Sequence, residues 1–185
     1  MKVIIQRVAK ASVTVGEEQI SSIGKGICVL LGISVEDTQK DIEYLVRKIL
    51  NLRLFDDENG KHWCKSVMDK QYEVLCVSQF TLQCILKGNK PDYHTAMAAE
   101  QSEPFYNNFL EHMRKTYKPE VIKGKGVYFY FLKKKTGRKL GGDPATPRTV
   151  SERLNHSAKE PRSSAFVVLE LLPHLTSLTG KGQNP

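Results

Sequence analysis

Apolar positions in the first third of the chain alternate in short runs. Val3 to Val8, Ser12 to Val15, Gln19 to Ile23 and Gly26 to Ile33 each read as a strand, with turn residues at Gly16-Glu17-Glu18 and Gly24-Lys25-Gly26 between them. This spacing predicts an antiparallel meander. From Asp37 to Leu52 the period changes. Ile42, Leu45, Val46, Ile49 and Leu50 share one helical face, with Glu36, Asp37 and Asp41 near its start and Arg47 and Lys48 near its end, as the helix dipole favours. An amphipathic helix covering a sheet is expected. Leu52 to Phe55, the turn signal Asp57-Glu58-Asn59-Gly60 and the segment through Trp63 suggest a hairpin, and Gln71 to Val77 a central buried strand. A second helix is expected from Ser102 as its cap, with Pro104 in the first turn and Phe105, Phe109, Leu110 and Met113 on the buried face. Val127 to Leu132 predicts a strand. Leu140 to Ser164, rich in Gly, Pro, Ser and charge, predicts disorder, and Ala165 to Leu172 a loose helix or no stable element. The fold class expected is α+β: a curved, mostly antiparallel sheet with two helices on one side.

At 185 residues and 40% apolar content the chain can bury one substantial core and carry a tail. No stretch approaches the roughly 20 apolar residues of a membrane helix, and MKVIIQRVAK lacks the apolar region of a secretory signal. A soluble protein of the cytoplasm, with the nucleus as an additional location, and with no membrane partner is expected. Cys28, Cys64, Cys76 and Cys84 form no CxxC pair and read as reduced, structural thiols. The net charge of +8 is unevenly placed: residues 1 to 113 hold 13 Lys/Arg against 15 Asp/Glu, while residues 114 to 140 hold 10 against 1. The first part therefore needs local pockets of cations, rather than a broad field, to hold a polyanion. Lys133, Lys134, Lys135, Arg138 and Lys139 form the basic cluster. It reads either as a nucleic-acid or nuclear-import patch or as a solvated strand end that blocks aggregation.

Candidate chemistry follows the strand at Gln71 to Val77. Ser78-Gln79-Phe80-Thr81-Leu82 puts two hydroxyls, a carboxamide and a ring at a strand exit, where a rigid backbone leads into a loop free to meet substrate. Spacing alone also fits small polar residues bonding their own backbone in a turn. Lys87-Gly88-Asn89-Lys90-Pro91 follows at loop distance. Gly88 there permits close backbone approach and two cations are available for phosphates; an ordinary polar loop is the alternative. His62, His94, His112, His156 and His174 are scattered without metal-ligand spacing, and no Walker-type glycine loop occurs, so neither a metal nor a cofactor is expected.

Four segments, MKVIIQRVAKASVTV, KGICVLLGIS, VSQFTLQC and KGNKPDYHTAM, stand in the order and at the separations found in D-aminoacyl-tRNA deacylases. The chain closely resembles a vertebrate member of that family from Met1 to about Ile122, and the resemblance then stops. It implies residues 1–122 as a deacylase-like domain, 123–140 as a divergent strand with the basic cluster, and 141–185 as a tail expected to be disordered. It further implies a homodimer acting on aminoacyl-tRNA and hydrolysing the ester of D-aminoacyl-tRNA, with mischarged glycyl-tRNA a second substrate. Catalytic residues implied are Ser78, Gln79, Phe80 and Thr81; substrate-binding residues are Gln6, Arg7, Lys87, Gly88, Asn89, Lys90 and Pro91. Thr81 could attack or position; with no His or Asp nearby in sequence, assistance by the substrate's ribose 2′-hydroxyl is favoured. Arg7 either bridges to tRNA or locks neighbouring loops. The family's Gly-Pro dipeptide, which reaches across its dimer and excludes L-amino acids, has no counterpart, since none of the eight prolines follows a glycine. A rival reading follows from that departure: a catalytically impaired variant that survives as a nucleic-acid-binding or dimerisation module through its basic segment.

Overall fold

A computed structural model describes residues 1–15, 17–124 and 165–171. The expected strand at Val127 to Leu132, the basic cluster Lys133 to Lys139 and the segment Leu140 to Ser164 lie outside the described residues.

Strands β1 (Lys2–Val15), β2 (Glu18–Ile23) and β3 (Gly26–Gly32) form one long hairpin. The register that sets Lys2 opposite Gly32 and Val8 opposite Gly26 continues unbroken to Ala11 opposite Ile23 and Val13 opposite Ser21, then shifts by a bulge before Thr14. Two separate strands were expected where β1 runs on as one. Ala9-Lys10-Ala11 contains no turn-forming residue, and Ala11 is buried, so the ladder has no reason to stop there.

Helix α1 (Gln39–Asn51) begins where Thr38 N donates to Asp41 Oδ2 at 2.8 Å, and buries Ile42, Val46, Ile49 and Leu50. Just before it, Asp37 accepts the Met1 ammonium and, at 2.6 Å, Ser34 N, so the start of β1 is pinned to the loop that leads into the helix. The expected hairpin around Asp57 to Gly60 reduces to a single bridge, Phe55 to Lys65. Asp57 Oδ1 accepts from Asn59 N at 2.9 Å and Lys61 N at 2.8 Å, so a side chain takes amides a ladder would use, and Trp63 at φ 60° departs from extended backbone.

After this crossover β4 (Glu73–Ser78) lies parallel to β3, and after α2 (Ala99–Thr116) the short β7 (Ile122–Gly124) lies parallel to β4. The path β2-β1-β3-β4-β7 is thus a mostly antiparallel sheet ending in two parallel pairings, each needed because a helix intervenes. Helix α2 starts three residues before the expected cap. Ser102 is inside it, buried, with Oγ donating to Ala99 O at 3.3 Å, and Pro104 falls beyond the first turn. Ala99, Glu100 and Gln101 favour helix and carry it upstream. Its buried face is Tyr106, Phe109, Leu110 and Met113, and Tyr106 Oη donates to Cys76 O at 2.8 Å.

Strand alternation divides the core in two. Ile27, Val29, Leu31, Val74 and Cys76 meet α1 and α2 on one face. Val8, Ala11, Val13, Val15, Ile23, Cys28, Leu75 and Val77 cluster on the other.

The segment expected to be a loose helix or nothing is a strand over Ala165–Leu171, β8, antiparallel to β1 and setting Val15 opposite Ala165 and Val13 opposite Val167. Its apolar sequence, with Phe166, Val167 and Val168 favouring strand, suits the edge that β1 leaves open on the side away from β2.

Candidate active site

β4 ends at Ser78, and the chain leaves the sheet through Gln79 into one 3-10 turn, Phe80–Gln83. The turn is tied back to β3: Gln79 N donates to Leu31 O at 2.7 Å, and the buried Gln83 donates from Nε2 to Gly32 O at 2.7 Å. Gly32 permits this approach, because a Cβ there would stand 2.7 Å from Leu82 Cβ and 3.1 Å from Gln79 O.

Within the turn Gln79 Nε2 donates to Thr81 Oγ1. A hydroxyl that accepts from an amide keeps its own proton to donate. Among the described residues no histidine or carboxylate hydrogen-bonds Thr81, so nothing there serves as the base that an attacking hydroxyl requires. The geometry suits Thr81 as a positioned donor. Phe80 meets Tyr93 edge to face, with centroids 5.4 Å apart and Tyr93 partly exposed.

Ser78 differs from its neighbours. Its Oγ is buried without a hydrogen-bond partner among the described residues, and the residue lines a small open pocket of about 20 Å³ with Leu31, Ile33, Gln79, Phe80, Met97 and Ser102. The hydroxyl faces inward, between the sheet and α2.

Lys87 to Pro91 form the tip of a small hairpin, β5 (Ile85–Lys87) and β6 (Lys90–Asp92). Gly88, at φ 62°, is the first central residue of its two-residue turn, the position where hairpins of this kind favour glycine. Lys87 Nζ pairs with Asp92, and His94 Nδ1 lies 2.9 Å from the same carboxyl. Lys87 foremost, then the bonds from His94, hold Asp92 well below the usual carboxylate range. Lys87 is thus largely committed to the hairpin, whereas no acid pairs with Lys90 among the described residues. The hairpin base joins the turn through Thr95 Oγ1, which donates to Gln83 O at 2.9 Å.

Gln6 and Arg7 lie farther along. Val3, Leu31 and Ser78 share one level of the sheet, so Gln6 stands three residues away, about 10 Å at the usual rise. Gln6 is on the strand face of Val8, opposite to the face that meets the helices. Arg7 is on the helix side and holds the 52–63 loop: Nη1 donates to Leu54 O at 2.7 Å and lies 3.9 Å from Asp56 Oδ1, and the guanidinium stacks 5.0 Å from the Trp63 centroid. Of the two roles expected for Arg7, this geometry performs the locking one.

All four cysteines are free. Burial pushes the Cys28 thiol up to about 11 and Cys76 up to about 12, which leaves both unreactive. Among the described residues no group of three or more His, Cys, Asp or Glu is placed to hold a metal ion, and no helix is long and apolar enough to cross a membrane. Sequence reasoning missed Gly32, Gln83, Tyr93, Met97 and Ser102. Only Gln83, a polar residue inside the run that ends the strand, left a local signal.

Comparison with known proteins gives the family. Residues 4–128 match the family model of D-Tyr-tRNA(Tyr) deacylase. Over 123 residues the chain is 76% identical to the D-aminoacyl-tRNA deacylase 1 of Homo sapiens, a match covering 66% of this chain and 59% of that protein. The D-aminoacyl-tRNA deacylase of Drosophila melanogaster is 57% identical over 123 residues, covering 66% of this chain and 77% of its own. The chain thus spans well under two thirds of the length of the human relative. A solved structure of the c-Myc DNA Unwinding Element Binding Protein, 75% identical, covers 68% of this chain and 85% of its own with a TM-score of 0.66. A structure of a "probable eukaryotic D-amino acid tRNA deacylase", 18% identical with a TM-score of 0.54, shares the fold.

Proposed function

The chain belongs to the D-Tyr-tRNA(Tyr) deacylase family, and from that membership we propose that it hydrolyses the ester of D-aminoacyl-tRNA, releasing D-amino acid and free tRNA. The observation that carries the reading is the turn after β4, where Gln79 fixes a Thr81 hydroxyl with no base beside it among the described residues. An aminoacyl ester is already activated, so it needs positioned donors more than a strong nucleophile. Water adds to the carbonyl carbon, assisted by the adjacent ribose 2′-hydroxyl. Thr81 donates to the developing oxyanion, the bond to the ribose 3′-oxygen breaks, and that oxygen leaves with a proton. The Phe80 and Tyr93 ring pair offers a surface for the terminal adenine, and Lys90 a cation for backbone phosphate. Mischarged glycyl-tRNA is a second substrate of the same chemistry.

The working unit proposed is a homodimer. Because the Gly-Pro dipeptide has no counterpart in this sequence, rejection of L-amino acids is expected to be weaker than in relatives that carry it. The basic residues Lys133, Lys134, Lys135, Arg138 and Lys139 are proposed as a second contact to the tRNA backbone. One observation in favour of nucleic-acid binding at that level of similarity is the solved relative whose name is that of a DNA-element binding protein.

The test is hydrolysis of D- and L-tyrosyl-tRNA by the purified full chain, with Thr81→Ala and Phe80→Ala. Loss of D-tyrosyl-tRNA turnover in both variants, with thermal midpoints unchanged, is expected. Wild-type turnover in both would remove the site from this turn.

A further inference from the structure

Trp63 is the one tryptophan of the chain, and its placement is unfavourable in two ways. Its backbone stands at φ 60°, a left-handed conformation that bulky side chains rarely take, and 57% of the residue is exposed to solvent. Strain of this kind persists only where the surroundings over-determine it, and it gathers at binding sites. Both flanks are tethered here. His62 Nδ1 lies 2.9 Å from Asp56 Oδ1, and Cys64 N donates to Phe55 O at 2.9 Å, so Trp63 spans a fixed gap between them. Against its ring lies Arg7, whose guanidinium carbon is 5.0 Å from the centroid. That cation is itself held: its side chain is 14% exposed, and Nη1 donates to Leu54 O at 2.7 Å and faces Asp56 Oδ1 at 3.9 Å. The indole is thus backed by a fixed charge and otherwise largely open to solvent.

We propose that Trp63 is a stacking platform for an unpaired nucleobase of the substrate tRNA, upstream of its 3′-terminal adenosine. The surface sets the class of ligand. A flat indole backed by a cation offers a π face, which takes any base by stacking and reads no hydrogen-bond pattern. The acids of the loop already have donors: Asp56 has Arg7 and His62, Glu58 has Lys65 and Lys70, and Asp57 has the amides of Asn59 and Lys61. Lys61, exposed and two residues before Trp63, pairs with no acid among the described residues and supplies a cation for the phosphate beside that base. The position also fits. Arg7 is four residues along β1 from Val3, which shares the level of Leu31 and Ser78, and two strands across from β4, so it stands about 13 Å along the sheet and about 10 Å across it from Ser78. A stacked nucleotide advances about 3.4 Å and a splayed one farther, so a strand whose last adenosine sits at Phe80 and Tyr93 brings a base a few nucleotides upstream to Trp63. The identity of the nucleic acid rests on the deacylase reading; the platform itself does not.

The experiment uses the purified full chain. Because Trp63 is the sole tryptophan, its emission reports the site directly. Uncharged tRNA with and without its unpaired 3′ end is titrated against that emission, and D-tyrosyl-tRNA kinetics are measured for the wild type, Trp63→Phe and Trp63→Asn, asparagine being a residue that tolerates left-handed backbone. Saturable quenching by the intact tRNA and little by the truncated one is expected. Trp63→Asn raises KM about tenfold, within the range for loss of one base–aromatic stack, with kcat unchanged as for lost uniform binding, and Trp63→Phe recovers most of the difference. The thermal midpoint of Trp63→Asn is unchanged or higher, because the substitution relieves left-handed strain, whereas removal of a tryptophan with a structural role would lower it. Emission unmoved by either tRNA or quenched equally by both, a KM unmoved in Trp63→Asn, a lowered midpoint, or emission that shifts with protein concentration alone, which marks an interface with a second copy, would overturn the proposal. If the wild type hydrolyses no D-aminoacyl-tRNA, the deacylase reading fails, while the quenching still decides the platform.

Discussion

Replacing Gly32 by alanine tests whether β3 sets the position of the turn. Gly32 has no left-handed backbone, so the substitution acts through space alone. The added Cβ would stand 2.7 Å from Leu82 Cβ and 3.1 Å from Gln79 O, with Gln83 Nε2 at 3.5 Å. Carbon pairs settle at about 3.5–4.0 Å, so the turn must retreat by about 1 Å. Two bonds oppose that retreat, Gln79 N to Leu31 O and Gln83 Nε2 to Gly32 O. Overpacking of this kind costs about 1–3 kcal/mol, and roughly 2–4 °C of Tm accompanies each kcal/mol in a chain of this size. The catalytic loss should be larger, because a displacement of about 1 Å at a reacting group can cost about 10²-fold in rate. The assay is kcat/KM on D-tyrosyl-tRNA alongside thermal denaturation. Gly24→Ala serves as control, since its Cβ would meet its nearest atom, Glu73 Oε2, at an ordinary 3.4 Å. Full activity and an unchanged Tm in Gly32→Ala would refute the idea that this contact places Thr81.

Other outcomes follow from single contacts. Tyr106→Phe removes a fully buried hydroxyl that bonds Cys76 O at 2.8 Å; a loss of about 1–3 kcal/mol with kcat retained is expected by denaturant titration, and an unchanged midpoint would show the bond is dispensable. Asp92 has a depressed pKa, so its contribution to the β5–β6 hairpin is complete above the unfolded value near about 3.9 and is lost only as pH falls through the lower folded value. Protection of the Ile85 to Asp92 amides relative to their intrinsic exchange rates should therefore stay constant from neutral pH down to that range, while Asp92→Asn lowers it at neutral pH. Val167→Pro deprives β8 of an amide donor; faster exchange across Ala11 to Val15 is expected, and unchanged exchange would mean that β8 does not protect β1 in solution. Neutralising Lys133, Lys134, Lys135, Arg138 and Lys139 should flatten the salt dependence of tRNA binding, and an unaltered slope would remove that contact.

Much was legible because the information was local. The apolar period of Ile42, Val46, Ile49 and Leu50 specified α1 and its buried face. The run ending at Val77 specified a central strand, and Ser78 to Leu82 specified a polar exit from it. The deacylase-like segments by themselves specified the family. The continuity of β1, the parallel pairing of β4 and the start of α2 were not legible, since each depends on what a segment packs against rather than on its own residues. Ser102 reads as a cap by its chemistry, yet helix-forming residues upstream and burial against the sheet made it interior.

The sequence by itself singled out the residues proposed to carry chemistry here: a threonine, a glutamine and an aromatic ring at a strand end, with a cationic loop beyond them. Tertiary structure decided what each one touches. Register put Gln6 on the far face of the sheet and Arg7 against the 52–63 loop, the lack of a side chain at Gly32 let the turn sit on β3, and packing of α2 turned the Ser78 hydroxyl inward beside Ser102. The physical reason is that residue type fixes which bonds a group can make, whereas the partner that satisfies it is brought by segments distant in the chain, and no local pattern encodes that distance.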